Sequence, residues 1–198
     1  MTIPKRISIK FEAEAAPGFD IAQAAPVFQR WIREHVIDDE LLIDVASYTH
    51  VVDGPGILLV GHEADYGLEV VDGRLGLRYT RKRAMGDSLT AAFHTLFAHS
   101  LHAARLLEAE PELAGLHVHT QAAEVAILDR LHCENSDEGV NAIGPALEEV
   151  LAAVYDGGAT ARRLANDPRQ PLTVQIRAAG GASATGASTR VRAFAPVA

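Results

Sequence analysis

Cysteine is nearly missing from this chain: Cys133 is the single one in 198 residues. No intramolecular disulfide can form, so stability must come from an apolar core, and a reducing, cytoplasmic compartment is expected. Lysine is almost as scarce, with Lys5, Lys10 and Lys82 the only examples. At a formal net charge of −8, the chain lacks the clustered cations that grip a phosphate backbone, which argues against a nucleic-acid partner. Arg81-Lys82-Arg83 is a short basic run set among acidic neighbours. No stretch approaches the roughly 20 apolar residues of a membrane span, and the N-terminus has no continuous apolar leader, so no membrane partner is expected. Both glycine-rich phosphate-binding patterns, G-x-G-x-x-G and G-x-x-x-x-G-K-S/T, are absent, which makes a nucleotide-binding doubly wound fold a poor candidate.

What is present is ordinary globular composition, 48% hydrophobic with 22% charged. A chain of this length buries a substantial core, and a single domain over residues 1–178 is the simplest division. The Gly/Ala/Ser-rich stretch that follows reads as a linker with a C-terminal arm, 179–198.

The most informative segment is 41–83, which reads as a three-stranded antiparallel meander. Asp72-Gly73 between two alternating runs is a strong hairpin signal, since a two-residue type I′ turn needs φ > 0 at both central positions. With Val71 and Arg74 flanking that turn, Leu68 faces Leu77, Tyr66 faces Tyr79, Asp65 faces Thr80 and Glu63 faces Lys82. The same exercise about Asp53-Gly54-Pro55-Gly56 places Val52 opposite Ile57. It makes 57–71 one long central strand and sets Asp44 directly across from Asp65. Side chains alternate faces along a strand, so one face is apolar. The other carries Asp44, Tyr48, His50, Glu63, Asp65, Arg78 and Lys82, with Gly61 and Gly67 leaving space among them.

Like charges directly opposed destabilise a strand pair. A divalent cation, a shared proton or Arg78 reaching diagonally would relieve Asp44 against Asp65. Asp44, Glu63 and Asp65 are therefore candidate oxygen ligands for a cation.

The remaining segments supply strands and helices. Ile7, Ile9 and Phe11 alternate as a first strand, and Pro26 opens a helix carrying Trp31, the sole tryptophan. Asp87 or Ser88 caps a long helix to about Glu110, with Leu89, Phe93, Leu96 and Phe97 buried and His94, His99 and His102 on the far side, solvated or oligomer-facing. His117 and His119 share one face of a strand over 116–120, an arrangement that supplies two metal ligands but not a third. The run from Glu124 to Cys133 would complete a second hairpin. Ser136 caps a further helix in which Gly144-Pro145 forces a kink or restart, and a last hairpin joins residues 159–165 to 172–178.

Together these elements describe an α+β protein: a mostly antiparallel sheet of hairpins and a meander, with helices packed mainly on one side. The functional expectation is a soluble cytoplasmic binding or assembly protein, a homo-oligomer, taking a small ligand or divalent cation on the meander's polar face. The alternatives are a small enzyme using the paired carboxylates for acid–base or metal-assisted chemistry, and a structural homo-oligomer with no ligand.

Overall fold

The computed structural model describes residues 3–155, 158–164 and 167–178; the expected linker and arm, 179–198, lie outside them. The strands are β1 (Ile7–Glu14), β2 (Leu42–Ser47), β3 (Ile57–Gly61), β4 (Ala64–Val71), β5 (Arg74–Arg81), β6 (His117–Ile127), β7 (Ala159–Arg163) and β8 (Leu172–Ala178). The helices are α1 (Ala24–Glu34), α2 (Leu89–Glu108) and α3 (Asp137–Val154). Among the described residues the eight strands form one antiparallel sheet in the order β2-β3-β4-β5-β1-β6-β8-β7. The α+β expectation holds: α1 packs over β2 and β3, α2 over β5, β1 and β6, and α3 against α2 and β7.

The β4–β5 hairpin has the expected register, Val71↔Arg74 through Asp65↔Thr80. Asp72 and Gly73 both take positive φ, 52° and 72°, the signature of the type I′ turn. The buried row this creates runs Ile57, Leu68, Leu77 and Phe11 across four strands.

The meander departs from expectation in three ways. Residues 57–71 are not one strand: the chain reverses at His62-Glu63, so β3 and β4 pair with each other and the meander has four strands. A Cβ on Gly61 would lie 2.5 Å from the Ala64 carbonyl oxygen; this glycine permits the tight reversal and makes no room for a ligand. The first turn is also longer than Asp53–Gly56. β2 ends at Ser47, which pairs with Ile57, and a Tyr48 carbonyl accepting from Val51 begins a separate loop. Val52 thus never faces Ile57.

The second expected hairpin is a single strand, β6. Its alternation changes phase between Val118 and Ala123, which in sequence resembles a turn. No glycine, proline, Asn or Asp occurs there to make one, and the chain absorbs the phase change as a bulge against β1, where Ala13↔Val118 is followed by Phe11↔Ala123.

Ser88 and Ser136 cap α2 and α3 through their hydroxyls, accepting from Ala91 and Gly139, and α3 runs through Pro145 as one helix. The histidine side of α2 is not a solvated surface. His102 is buried and His99 nearly so, because α2 packs on both the sheet and α3.

Candidate functional site

Lys10, Glu69, Arg78 and Glu124 share the sheet face opposite the buried row of Ile57, Leu68, Leu77 and Phe11. At its centre sits Glu69 on β4. Its side chain is only 5% exposed, yet it is surrounded by charge: Lys10 Nζ lies 3.0 Å away, and Arg78 donates twice, from Nε at 3.0 Å and Nη2 at 2.9 Å. Burial alone would raise the Glu69 carboxyl. The hydrogen bonds and charges of Arg78 and Lys10 outweigh it and hold the group below its ordinary range.

Gly76 makes this clamp geometrically feasible. Lys10 on β1 must cross β5 to reach β4, and it crosses over Gly76: a Cβ there would meet Lys10 Cε at 2.6 Å and the Phe11 carbonyl at 2.9 Å. The missing side chain opens a channel for a lysine stem, which holds two cations side by side over the middle of the sheet.

Beside the clamp a groove of about 450 Å³ opens along β5, β1, β6 and β8. Its cations are Lys10, Arg74, Arg78 and Arg177, and its carboxylates are Glu12, Asp72 and Glu124. Gln175 donates to Glu124 at 3.2 Å, while Arg74 and Glu12 meet loosely at 3.5 Å on the rim. Ala122 pairs with Arg177 and leaves the floor low between them. Among the described residues the Arg177 guanidinium has no hydrogen-bond or ion-pair partner. This surface has a pre-ordered charged centre, an unengaged guanidinium and space for a small molecule.

Asp44 and Asp65 do not face each other. Both pair with Val60, so a whole strand separates them in one row. Asp44 is exposed and caps its own neighbour, accepting from the Val45 amide. Asp65 takes Lys82 at 2.7 Å. Glu63 sits in the β3–β4 reversal, accepting from the Leu41 amide through its carboxylate, while its carbonyl accepts from Lys82 and Arg83. Tyr48 and His50 leave the sheet with the loop after β2. Only Arg78 of the original set lines the groove.

Asp44, Glu63 and Asp65 therefore do not converge on a cation. His117 and His119 do share a face, with ring centroids 5.1 Å apart. Each is turned to its own carboxylate, Glu108 at 3.0 Å and Glu14 at 3.5 Å. Among the described residues no set of three or more His, Cys, Asp or Glu side chains forms a metal-holding group. Cys133 is buried, with its thiol pushed up by burial, and His132 turns to Asp129 at 2.7 Å; this environment makes a structural cysteine.

A second polar cluster, unread in the sequence, lies on the helix side. The Glu40 carboxylate is 1% exposed. It accepts from Tyr66 at 2.5 Å, Tyr79 at 2.6 Å and Arg81 at 2.7 Å. Arg81 also donates twice to the Ala84 carbonyl, and His99 stacks on Tyr79 with ring centroids 5.7 Å apart. Burial pushes both tyrosine hydroxyls well above their ordinary range, so they remain donors. Both Glu40 oxygens are engaged and solvent is excluded, so this cluster pins the entry to β2 and does not present a reactive group. Its one sequence signal is Glu40 as the last of three acids before an apolar strand; its partners come from elements far along the chain.

No protein-family model matches the chain, and no curated protein matches it.

Proposed function

We propose that this protein binds a small polar ligand on the open face of its sheet, in the groove along β5, β1, β6 and β8. The observation that carries the reading is the Glu69-centred clamp of Lys10 and Arg78, opening onto a groove of about 450 Å³ beside Arg177, which is unengaged among the described residues. Charged side chains held in place before a ligand arrives lower the ordering cost of binding. The divalent-cation version loses its support with the separation of Asp44 from Asp65, and so does the enzyme that would use them as a pair. A cytoplasmic location fits a chain whose sole cysteine is buried as a thiol. Among the described residues no helix is long and apolar enough to cross a membrane.

The test is a thermal-shift screen of the full chain against a metabolite panel, repeated on Ala122→Trp, which fills the groove floor, and on Arg177→Glu, which reverses its free charge. A ligand at about 100 times its Kd stabilises by roughly 2.7 kcal/mol, a rise in Tm of about 5–11 °C for a chain of this size. The reading expects that rise in the wild type and its loss in both variants. A metabolite whose effect survives both substitutions would place binding elsewhere.

Homo-oligomerisation is a second, compatible reading. Among the described residues β2 is an edge strand; Ile43 is exposed on it, Leu41 just before it, and Val51 and Val52 in the loop that follows, and exposed apolar edges mark association surfaces. Light scattering of the wild type against Ile43→Lys checks it: a dimer is expected to dissociate on substitution.

A further inference from the structure

We infer that the groove takes a dipolar ligand of dipeptide length, with its carboxylate on Arg177 and its ammonium on the Glu12 side. This inference rests on the groove being the binding site and names what would fit it.

The lining carries both signs of charge in one small space. Lys10 and Arg78 are already drawn onto Glu69, and Glu124 accepts from Gln175. The groups with capacity left are at the two sides, Arg177 on one and Glu12 with Asp72 on the other. Arg177 on β8 has no partner among the described residues, and Glu12 on β1 has only the loose contact with Arg74. A purely anionic ligand would find its cation at Arg177 and then meet Glu12, Asp72 and Glu124. A purely cationic one would face Arg177, Arg74 and the Lys10–Arg78 pair. A molecule with opposite charges at its two ends satisfies both sides.

The spacing sets the length. β6 lies between β1 and β8, so Glu12 and Arg177 start about two strand spacings, roughly 10 Å, apart. Ala122 on the intervening strand is too short to fill the gap. Two extended residues span about 7 Å, and the Arg177 and Glu12 side chains lean in to cover the remainder. A planar guanidinium binds a carboxylate in bidentate fashion, which suits the free C-terminus of a short peptide.

Calorimetry on the full chain with four probes tests the inference: unmodified dialanine, its N-acetylated form, its C-amidated form, and inorganic phosphate. Dialanine is expected to bind, and each blocked form to bind at least about tenfold more weakly, the discrimination given by one lost charged hydrogen bond. Arg177→Gln is expected to bind dialanine no better than the amide, and Glu12→Gln no better than the acetylated form. Both residues are exposed, so the variants keep their fold, and an unchanged melting temperature verifies it. Blocked forms binding as well as dialanine would overturn the dipolar class, as would phosphate binding more tightly. If dialanine fails to bind while a metabolite displaced by Ala122→Trp does, the ligand class is wrong and the groove stands. If no ligand is affected by Ala122→Trp, the groove reading falls too.

Discussion

Replacing Glu40 by alanine offers the sharpest test of how this sheet is held. The carboxylate is 1% exposed and Arg81 8%, so the substitution strands a guanidinium where water reaches it poorly. Removing one partner of a buried ion pair costs about 3–5 kcal/mol. Tyr66 and Tyr79 would also lose their acceptor, each a further penalty of roughly 1–3 kcal/mol where the hydroxyl stays unsatisfied. These contributions belong to one network and do not add, so about 3–5 kcal/mol is the expected net loss. For a chain of this size that lowers Tm by about 6–20 °C. Urea denaturation followed by far-UV circular dichroism measures it, with an unchanged m-value identifying a pure stability effect. Glu40→Gln keeps an acceptor for the tyrosines and should lose less. A loss below about 1 kcal/mol for Glu40→Ala would mean that solvent compensates Arg81, and the pinning role assigned to Glu40 would be wrong.

Alkaline pH probes the same cluster. Tyr66, Tyr79 and Tyr155 all have hydroxyls raised by burial, so the unfolded chain releases these protons first. Their contribution is complete below the ordinary tyrosine value near 10 and declines as pH rises beyond it, by about 1.4 kcal/mol per pH unit for each tyrosine. Urea titrations across that range should show the steep limb, and Tyr66→Phe with Tyr79→Phe should flatten it; a limb unchanged in the double variant would contradict the assignment. On the open face, Gly76→Ala should destabilise by about 1–3 kcal/mol, because the new Cβ meets the Phe11 backbone at 2.9 Å as well as Lys10. Gly67→Ala, whose Cβ meets nothing nearer than 3.6 Å, should stay within about 0.5 kcal/mol. Chemical denaturation of the pair compares them directly, and equal losses would refute the channel role of Gly76.

The β4–β5 hairpin was legible because local chemistry determines it. Asp72-Gly73 admits one turn type, and that turn fixes every pair back to Asp65↔Thr80. The β2–β3 connection was not, because a Gly-Pro-Gly loop serves many lengths and the chain places five more residues, Tyr48 to Val52, in the loop ahead of it. The reversal at His62-Glu63 carries no such signature; Gly61 marks it, and in sequence that glycine reads equally well as an opening in a long strand. The longer loop and the reversal together separate Asp44 from Asp65. Glu69 is hidden in the sequence for a different reason. It sits beside Arg78 in the correct register, but its burial depends on Lys10, and nothing local says that β1 inserts between β5 and β6. The same holds for Glu40, whose partners lie 26, 39 and 41 residues away.

A ligand seated in the groove over β5, β1, β6 and β8 perturbs the backbone amides around it, and amide chemical-shift mapping of the labelled full chain reads this, titrated with dialanine and with the metabolite giving the largest thermal shift. The largest changes are expected on Lys10, Gly76, Ala122, Gln175 and Arg177. Changes centred instead on Asp44, Asp65 and Lys82, or on the helices, would contradict this placement.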